Sequence, residues 1–330
     1  MKKTKSITMK DIAQKVGVSI ATVSRVLNYD ENFAVSDEVK RKIFEAAEEV
    51  NYYPKKYRRT KTYKKILIVK AYSEKVELED TYYLSLRVTI ERLLRMNEFF
   101  AEIKDDNLSL EELENYHGVI ILGNLEEKKL YSFLSKNLNI ILVDFSCDNP
   151  YVDSVVVNYK LGVKQALEYL LVLGHKKIGI ISGRENTGNM DMRELYFRKF
   201  LQEKNLLNEN YIFYGDFTPH GGYMAAKEML NLPDKPTAIF VSNDSMAIGC
   251  YKAIYELGLK IPEDISIVGF NNISISRFMT PPLTTVNVSV EEMAETSLYL
   301  LKDRLKRNRK IGKKVTISTE LLVRESCKEV

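Results

Sequence analysis

The sequence predicts an α/β protein: a small helical head followed by a large body of two similar α/β subdomains. Three observations carry this prediction. Between residues 8 and 50, three short helical segments each follow a hydroxyl residue that can cap them. Beyond residue 65, short apolar runs alternate with amphipathic stretches. Charge also divides the chain: residues 1–65 hold 16 Lys or Arg against 8 Asp or Glu, whereas the remainder holds 33 against 37. A basic head on a mildly acidic body points to a polyanionic partner for the head alone. At 330 residues the chain exceeds one ordinary core.

In the head, Thr8-Met9-Lys10-Asp11 has the form of a capping box with Thr8 as N-cap. Ile12, Ala13 and Val16 mark one apolar face, and Gly17 is a residue on which helices commonly end. Ser19 can cap a second helix running from Ile20 to about residue 28, with Val23, Val26 and Leu27 inward. Ser36 can cap a third from Asp37 to about residue 50, with Val39, Ile43, Ala46 and Ala47 inward. Two short helices joined by a tight turn, with a third closing the core, is the helix-turn-helix plan. Ile20, Ala21, Thr22 and Arg25 project away from the inward stripe. Ile20 and Ala21 suit thymine methyls, and Arg25 suits a guanine edge or a phosphate. Ser19, Thr22 and Ser24 suit phosphates near a helix N-terminus. The residues alone leave a three-helix protein-interaction module as the alternative; the basic charge favours DNA.

In the body, apolar runs at 66–71, 119–122, 140–144, 178–182, 238–242 and 265–270 read as buried parallel strands. Amphipathic stretches near 84–96, 126–136, 159–173, 189–205, 220–230 and 244–258 read as the helices between them. Twelve such elements exceed the needs of one sheet, hence two subdomains. Neither GxxxxGK[ST] nor GxGxxG occurs, so nucleotide hydrolysis and dinucleotide binding have no support. His117, His175 and His220 have no partner at metal-ligand spacing, and Ser182 and Ser242 have no nucleophile-elbow context. No catalytic residue, metal or cofactor is therefore expected. Cys147, Cys250 and Cys327 are sparse and odd in number, which fits a reducing compartment. No apolar stretch follows the basic MKKTKS start and no run reaches transmembrane length, so a cytoplasmic chain without a membrane partner is expected.

Ligands of open α/β sheets lie beyond the carboxyl ends of the strands. Sugar sites pair an aromatic face with planar polar side chains. The residues just past the strand runs are therefore candidates: Asp144, Arg193, Asn243, Asp244, Asn271 and Asn272, with Phe217 after a strand near 211–214. Plainer roles stand beside these: helix caps for Asp144 and Asp244, a surface position for Arg193, core packing for Phe217.

The stretches Lys10-Asp11-Ile12-Ala13, Val16-Gly17-Val18-Ser19-Ile20-Ala21-Thr22-Val23-Ser24-Arg25-Val26-Leu27-Asn28, Val35-Ser36 and Asn51-Tyr52 closely resemble the lactose/galactose-repressor family of bacterial transcriptional regulators. The resemblance continues through Leu173-Gly174-His175-Lys176-Lys177-Ile178, taken as the join between subdomains, and through Ser242–Gly249, 258–270 and 281–286. It implies a periplasmic-binding-protein-like body of two subdomains closing on a ligand. The domains expected are a DNA-binding head at 1–52, a basic linker at 53–65 and an effector-binding and dimerisation domain at 66–330. The resemblance makes Ile20, Ala21 and Arg25 the major-groove readers. Thr8, Ser19, Thr22, Ser24, Asn28, Lys55 and Lys56 complete the DNA-contacting set. For the effector it implies Arg193 as a clamp, Asn243, Asn271 and Asp144 as polar contacts, Phe217 as the stacking aromatic, and Tyr82 and Tyr83 as lining from the first subdomain.

Two departures stand out. The linker, with seven basic residues, lacks the Leu that most members wedge into the minor groove, so phosphate contacts without a kink are expected. Asn271 stands where most members carry Asp, which removes a charged acceptor. The apolar-Ala reading pair, the 79–83 segment and Asn271 look most like galactose or galactoside repressors. Expected partners are double-stranded operator DNA, a sugar effector such as galactose or a β-galactoside, and a second copy of the chain, since no leucine-heptad tail follows residue 323 to make a tetramer. Ligand-strengthened DNA binding is the alternative within the family. A sugar-binding transport component is the alternative outside it, opposed by the head and the missing export signal.

Overall fold

The computed structural model describes residues 8–27, 33, 35–49, 63–136, 139–184 and 190–330. Of the expected DNA-contacting residues, Asn28, Lys55 and Lys56 lie outside that set, as do linker residues 53–62. The chain forms two compact units, Met1–Tyr63 and Lys64–Val330.

The head consists of α1 (Met9–Val16), α2 (Ile20–Leu27) and α3 (Asp37–Glu49). Its core joins Ile12, Ala13, Val23, Val26, Leu27, Ile43, Ala46 and Ala47, with Phe33 and Val35 packed against them. Gly17 ends α1 at φ 75°, and its N–H donates to the Ala13 carbonyl at 2.9 Å. That left-handed conformation costs glycine nothing and lets α2 turn back onto α1. Ser19 Oγ accepts from the Thr22 N–H at 3.0 Å and so opens α2. At α1 the Asp11 carboxylate carries much of the cap, accepting from both the N–H and the hydroxyl of Thr8 at 2.7 Å.

In chain order the body runs through β1 (Lys65–Lys70), α4 (Glu74–Glu79), α5 (Thr81–Met96), β2 (Phe100–Asp105), β3 (Gly118–Leu122), α6 (Glu127–Leu134), β4 (Asn139–Val143) and β5 (Asp153–Val157). It continues with α7 (Tyr159–Val172), β6 (Ile178–Gly183), α8 (Met192–Glu203), β7 (Ile212–Gly215), α9 (Pro219–Leu230), β8 (Ala238–Val241), α10 (Asp244–Glu256), β9 (Ser266–Asn271) and β10 (Thr284–Asn287). Then follow α11 (Val290–Arg307), β11 (Lys314–Ile317) and β12 (Glu320–Leu322). Lys65, placed with the linker by charge, is the first residue of β1.

Two six-stranded sheets result, in the orders β11-β5-β4-β3-β1-β2 and β12-β10-β9-β8-β6-β7. All pairings are parallel except β10 with β12. Helices cover both faces, so the central strands are buried on both sides and read as unbroken apolar runs. Alternate residues feed opposite cores: Ile66, Ile68, Ile120 and Leu122 enter one, Leu67, Val69, Val119 and Ile121 the other.

The chain crosses between lobes three times: from β5 into α7, from β10 into α11, and from β11 into β12. Helix α7 packs on β8, β10 and β12 of the second lobe, and α11 on α5, β4 and β5 of the first. The segment Leu173–Ile178 is therefore not the join between subdomains that the resemblance suggested. It links α7 to β6 inside the second lobe. There His175, 2 % exposed, meets the Thr237 and Ser266 hydroxyls at 2.8 and 3.1 Å and the Lys328 carbonyl at 3.1 Å, anchoring the C-terminal segment.

Near the return to the first sheet, Asp153, 0 % exposed, accepts from Arg304 Nε at 2.8 Å, Arg309 Nη2 at 2.6 Å and the Lys313 N–H at 2.6 Å. Although burial works the other way, these donors hold its carboxyl below the usual range. Asp153→Ala leaves two guanidinium groups facing a cavity and is expected to destabilise the body by about 3–5 kcal/mol. Denaturant unfolding of the two proteins checks it.

Candidate functional site

In the head, α2 buries Val23, Val26 and Leu27 and leaves Ile20, Ala21 and Arg25 exposed. A solvent-facing isoleucine, 47 % exposed beside a well-packed core, is available to a base edge. Ser19 and Thr22 are bonded to each other at 2.8 Å, at the start of the helix. The Arg25 guanidinium lies 5.0 Å from the Phe33 ring centre. Phe33 went unnoticed in the sequence because it falls between the second and third helices, outside any periodic stripe.

In the body, a cavity of about 740 Å³ opens between the lobes, beyond the carboxyl ends of the strands. Tyr83, Asn124, Asp144, Ser146 and Lys314 line it from the first lobe, and Gly183, Asp191, Arg193, Tyr196 and Phe217 from the second. Asn158 and Tyr159 line it at the first crossing. Of the expected ligand residues, Tyr83, Asp144, Arg193 and Phe217 thus meet around one space.

Arg193 is the most constrained of these, with a side chain only 12 % exposed. Its Nε donates to both Asp191 carboxylate oxygens, at 2.9 and 3.0 Å, and its Nη1 to the Ser242 carbonyl at 2.7 Å. The guanidinium carbon lies 5.3 Å from the Tyr159 and Phe217 ring centres and 5.4 Å from that of Phe270. Burial works against its charge, but Asp191 and Tyr159 hold its affinity for a proton above the usual value. A permanently charged planar fork is therefore presented with donors left over for a ligand. Asp144 faces it from the end of β4, accepting from the Tyr83 hydroxyl at 2.9 Å and the Tyr159 hydroxyl at 2.8 Å. Burial and the Asp144 carboxylate push the Tyr159 phenol well above its usual range, so it stays a donor.

Backbone geometry marks two of these residues, and two outside this cavity. Asp144, Phe217, Asn271 and Asn272 all have positive φ, at 70°, 65°, 101° and 56°. For a bulky phenylalanine this is strained, and such strain collects at binding sites. The Phe217 ring lies over Gly183, where a Cβ would fall 2.1 Å from two ring carbons. Only glycine at the end of β6 leaves room for the aromatic face.

The other expected residues sit elsewhere. Tyr82, 4 % exposed, and Asn271, 7 % exposed, line a second cavity of about 300 Å³ with Asn272, Ser274 and Arg277. The Tyr82 hydroxyl has no hydrogen-bond partner among the described residues. Asn243 is fully buried and lines neither cavity: it caps α10 through the Met246 N–H at 2.9 Å and donates to Asp80 at 2.8 Å and to the Phe217 carbonyl at 2.9 Å. Asp244 turns inward to Thr285 and the Ile273 N–H, and burial pushes its carboxyl up to about 7. Among the described residues no cluster could hold a metal ion, and no helix is long and apolar enough to cross a membrane.

Comparison with known proteins accounts for both units. The family described as bacterial regulatory proteins, lacI family, matches residues 8–55, and the periplasmic binding protein-like domain matches residues 167–327. The chain is 36 % identical to the HTH-type transcriptional regulator GanR of Bacillus subtilis (strain 168), over 97 % of this chain and 99 % of GanR. The chain belongs to the lacI family.

A second lacI-family relative, the HTH-type transcriptional regulator GalR of Lacticaseibacillus casei, is 32 % identical over 97 % of this chain and 99 % of its own. Among solved structures, the lac repressor dimer bound to operator and an anti-inducer superposes with a TM-score of 0.72 at 25 % identity, over 98 % of this chain and all of that one. A CelR–cellobiose complex reaches 0.72 at 24 % identity over 97 % of this chain and 99 % of that one, a likeness of fold. This lacI-family chain is a DNA-binding transcriptional regulator with a helix-turn-helix head and a two-lobed body.

Sequence reasoning passed over Asn124, Asn158, Tyr159 and Asp191. Tyr159 opens a helix that was expected, but strand β5 before it was not, so the crossing that places it was invisible. Arg25→Ala is expected to lower affinity for a duplex selected from random sequence by about 1–3 kcal/mol and to relax preference at one base position. Fluorescence anisotropy against selected and scrambled duplexes measures both.

Proposed function

We infer that this regulator is a dimeric repressor of sugar-utilisation genes that leaves its operator when galactose or a β-galactoside enters the interlobe cleft. The observation that carries the sugar reading is the arrangement around Arg193: a fixed guanidinium with spare donors, an opposing Asp144 carboxylate, and the Phe217 ring at the wall of the same cavity. Hydroxyl pairs match the polar groups, and the C–H face of a pyranose matches the ring. Ile20 followed by Ala21, as in galactose-type readers, points to the galactose branch. A relative of the same fold, CelR, is solved as a cellobiose complex.

In this reading Ile20, Ala21 and Arg25 read bases, while Ser19, Thr22 and Ser24, with Thr8, Asn28, Lys55 and Lys56, serve the backbone. Arg193, Asp144, Phe217 and Tyr83 form the sugar subsite, while Tyr82 and Asn271 line the separate second cavity. To act as inducer the sugar must bind the DNA-incompetent arrangement more tightly. The role assigned to the cleft is binding.

Calorimetry against galactose, lactose, glucose, ribose and a purine tests the ligand. Heat from galactose or lactose is expected; heat from ribose or the purine alone overturns the assignment. Arg193→Ala is expected to weaken the productive sugar about 10- to 100-fold, the loss of one charged set of hydrogen bonds. A mobility shift with the same sugar gives the sign. Release supports induction, and tighter retention assigns a corepressor instead.

A further inference from the structure

Two polar contacts join the lobes at the cleft. One is the bond from Tyr159 to Asp144, beside the first chain crossing. The other joins residues 163 apart in sequence. Asp80, on the first lobe and only 5 % exposed, accepts from Asn243 Nδ2 at 2.8 Å and from Ser245 Oγ at 3.2 Å, both in the second lobe. Its remaining bond is local, from the Tyr82 N–H at 3.2 Å, as N-cap of α5. The carboxylate is thus seated between the N-termini of α5 and α10, and both helices favour negative charge there.

Asn243 has no donor left for a ligand in this arrangement and is fully buried. Its Nδ2 serves Asp80 and the Phe217 carbonyl, and its Oδ1 serves the Met246 N–H. Yet it touches the cleft at one remove. It holds the backbone of strained Phe217, and its neighbour Ser242 supplies the carbonyl that holds Arg193.

We propose that Asp80 is a built-in clasp, whose carboxylate reaches from the first lobe to Asn243 and Ser245 of the second and holds the cleft closed with no ligand bound. Asp80 is a positioning residue: through Asn243 it fixes Phe217, and it sets how far Arg193 stands from Asp144. Its consequence for sugar binding rests on the reading of the cleft given above, but its test does not. Parting the lobes breaks both of these bonds at once; burial pushes the Asp80 carboxyl up, so the tie lies in the paired hydrogen bonds rather than in the charge.

The test is an interlobe distance in full-length, ligand-free protein. Spin labels replace the exposed Asp148 of the first lobe and His220 of the second, with Cys147→Ser to remove the accessible thiol. Cys327, half-buried like Cys147, is likewise changed to Ser, and Cys250 is fully buried. Pulsed-electron distances should be single and narrow with Asp80 present. With Asp80→Ala the distribution should broaden and shift by several ångströms; with Ser245→Ala, which keeps the helix cap, it should shift in the same direction by less. Circular dichroism confirms that each variant is folded, and if Asp80→Ala does not fold, Ser245→Ala decides alone. An unchanged distribution in the folded variants overturns the clasp. If no sugar of the panel binds the wild type, the sugar reading fails while the distances still decide the clasp.

Discussion

Arg193 carries a charge that is almost out of water, and the cleft is organised around keeping it there. A buried guanidinium is tolerated only with its donors met and its charge balanced. Asp191 meets one edge and the Ser242 carbonyl another, while Tyr159, Phe217 and Phe270 present ring faces to the plane. Each of these partners imposes a further demand. Phe217 needs a left-handed backbone and a glycine beneath its ring. Tyr159 needs Asp144 as acceptor, which brings the first lobe to the second. The remaining guanidinium donors then face a space in which a polyhydroxylated ligand can complete them.

The topology explains why one cluster can draw on both lobes. Strands of each sheet end at the same cleft, and the three crossings keep the lobes adjacent, with one buried apolar cluster drawing residues from both. Side chains at strand ends therefore reach a shared cavity without belonging to a shared sheet. A ligand touching both groups has a differential affinity for closed over open lobes, the requirement for shifting an equilibrium. The clasp at Asp80 would set where that equilibrium stands beforehand.

Much of this was legible in the sequence. The central strands are unbroken apolar runs because both faces are covered, and the head's helices announce themselves by caps and spacing. What escaped detection follows a physical pattern. Strand β2 lies at a sheet edge, where Phe100, Ala101 and Ile103 alternate with charged residues, and β11 is equally open. Strand β10 is largely Thr and Asn although three of its four residues are buried. Site residues at the ends of recognised strands, Asp144 and Phe217, could be named in advance. Tyr159 could not, because its strand was not recognised. Asn243 was named for a role that its geometry assigns differently, since spacing cannot tell that Asp80, far away in sequence, occupies its donors. The join assigned to Leu173–Ile178 failed for a related reason: a helix-to-strand link looks the same within a lobe as between lobes.

The central claim is that one free energy couples sugar in the cleft to DNA on the head. Because such coupling is reciprocal, the most direct measurement is the affinity of the productive sugar for the protein alone and for the protein saturated with a selected operator duplex. The account predicts that operator weakens sugar binding by the same factor by which sugar weakens operator binding. Equal sugar affinities in the two titrations would contradict it.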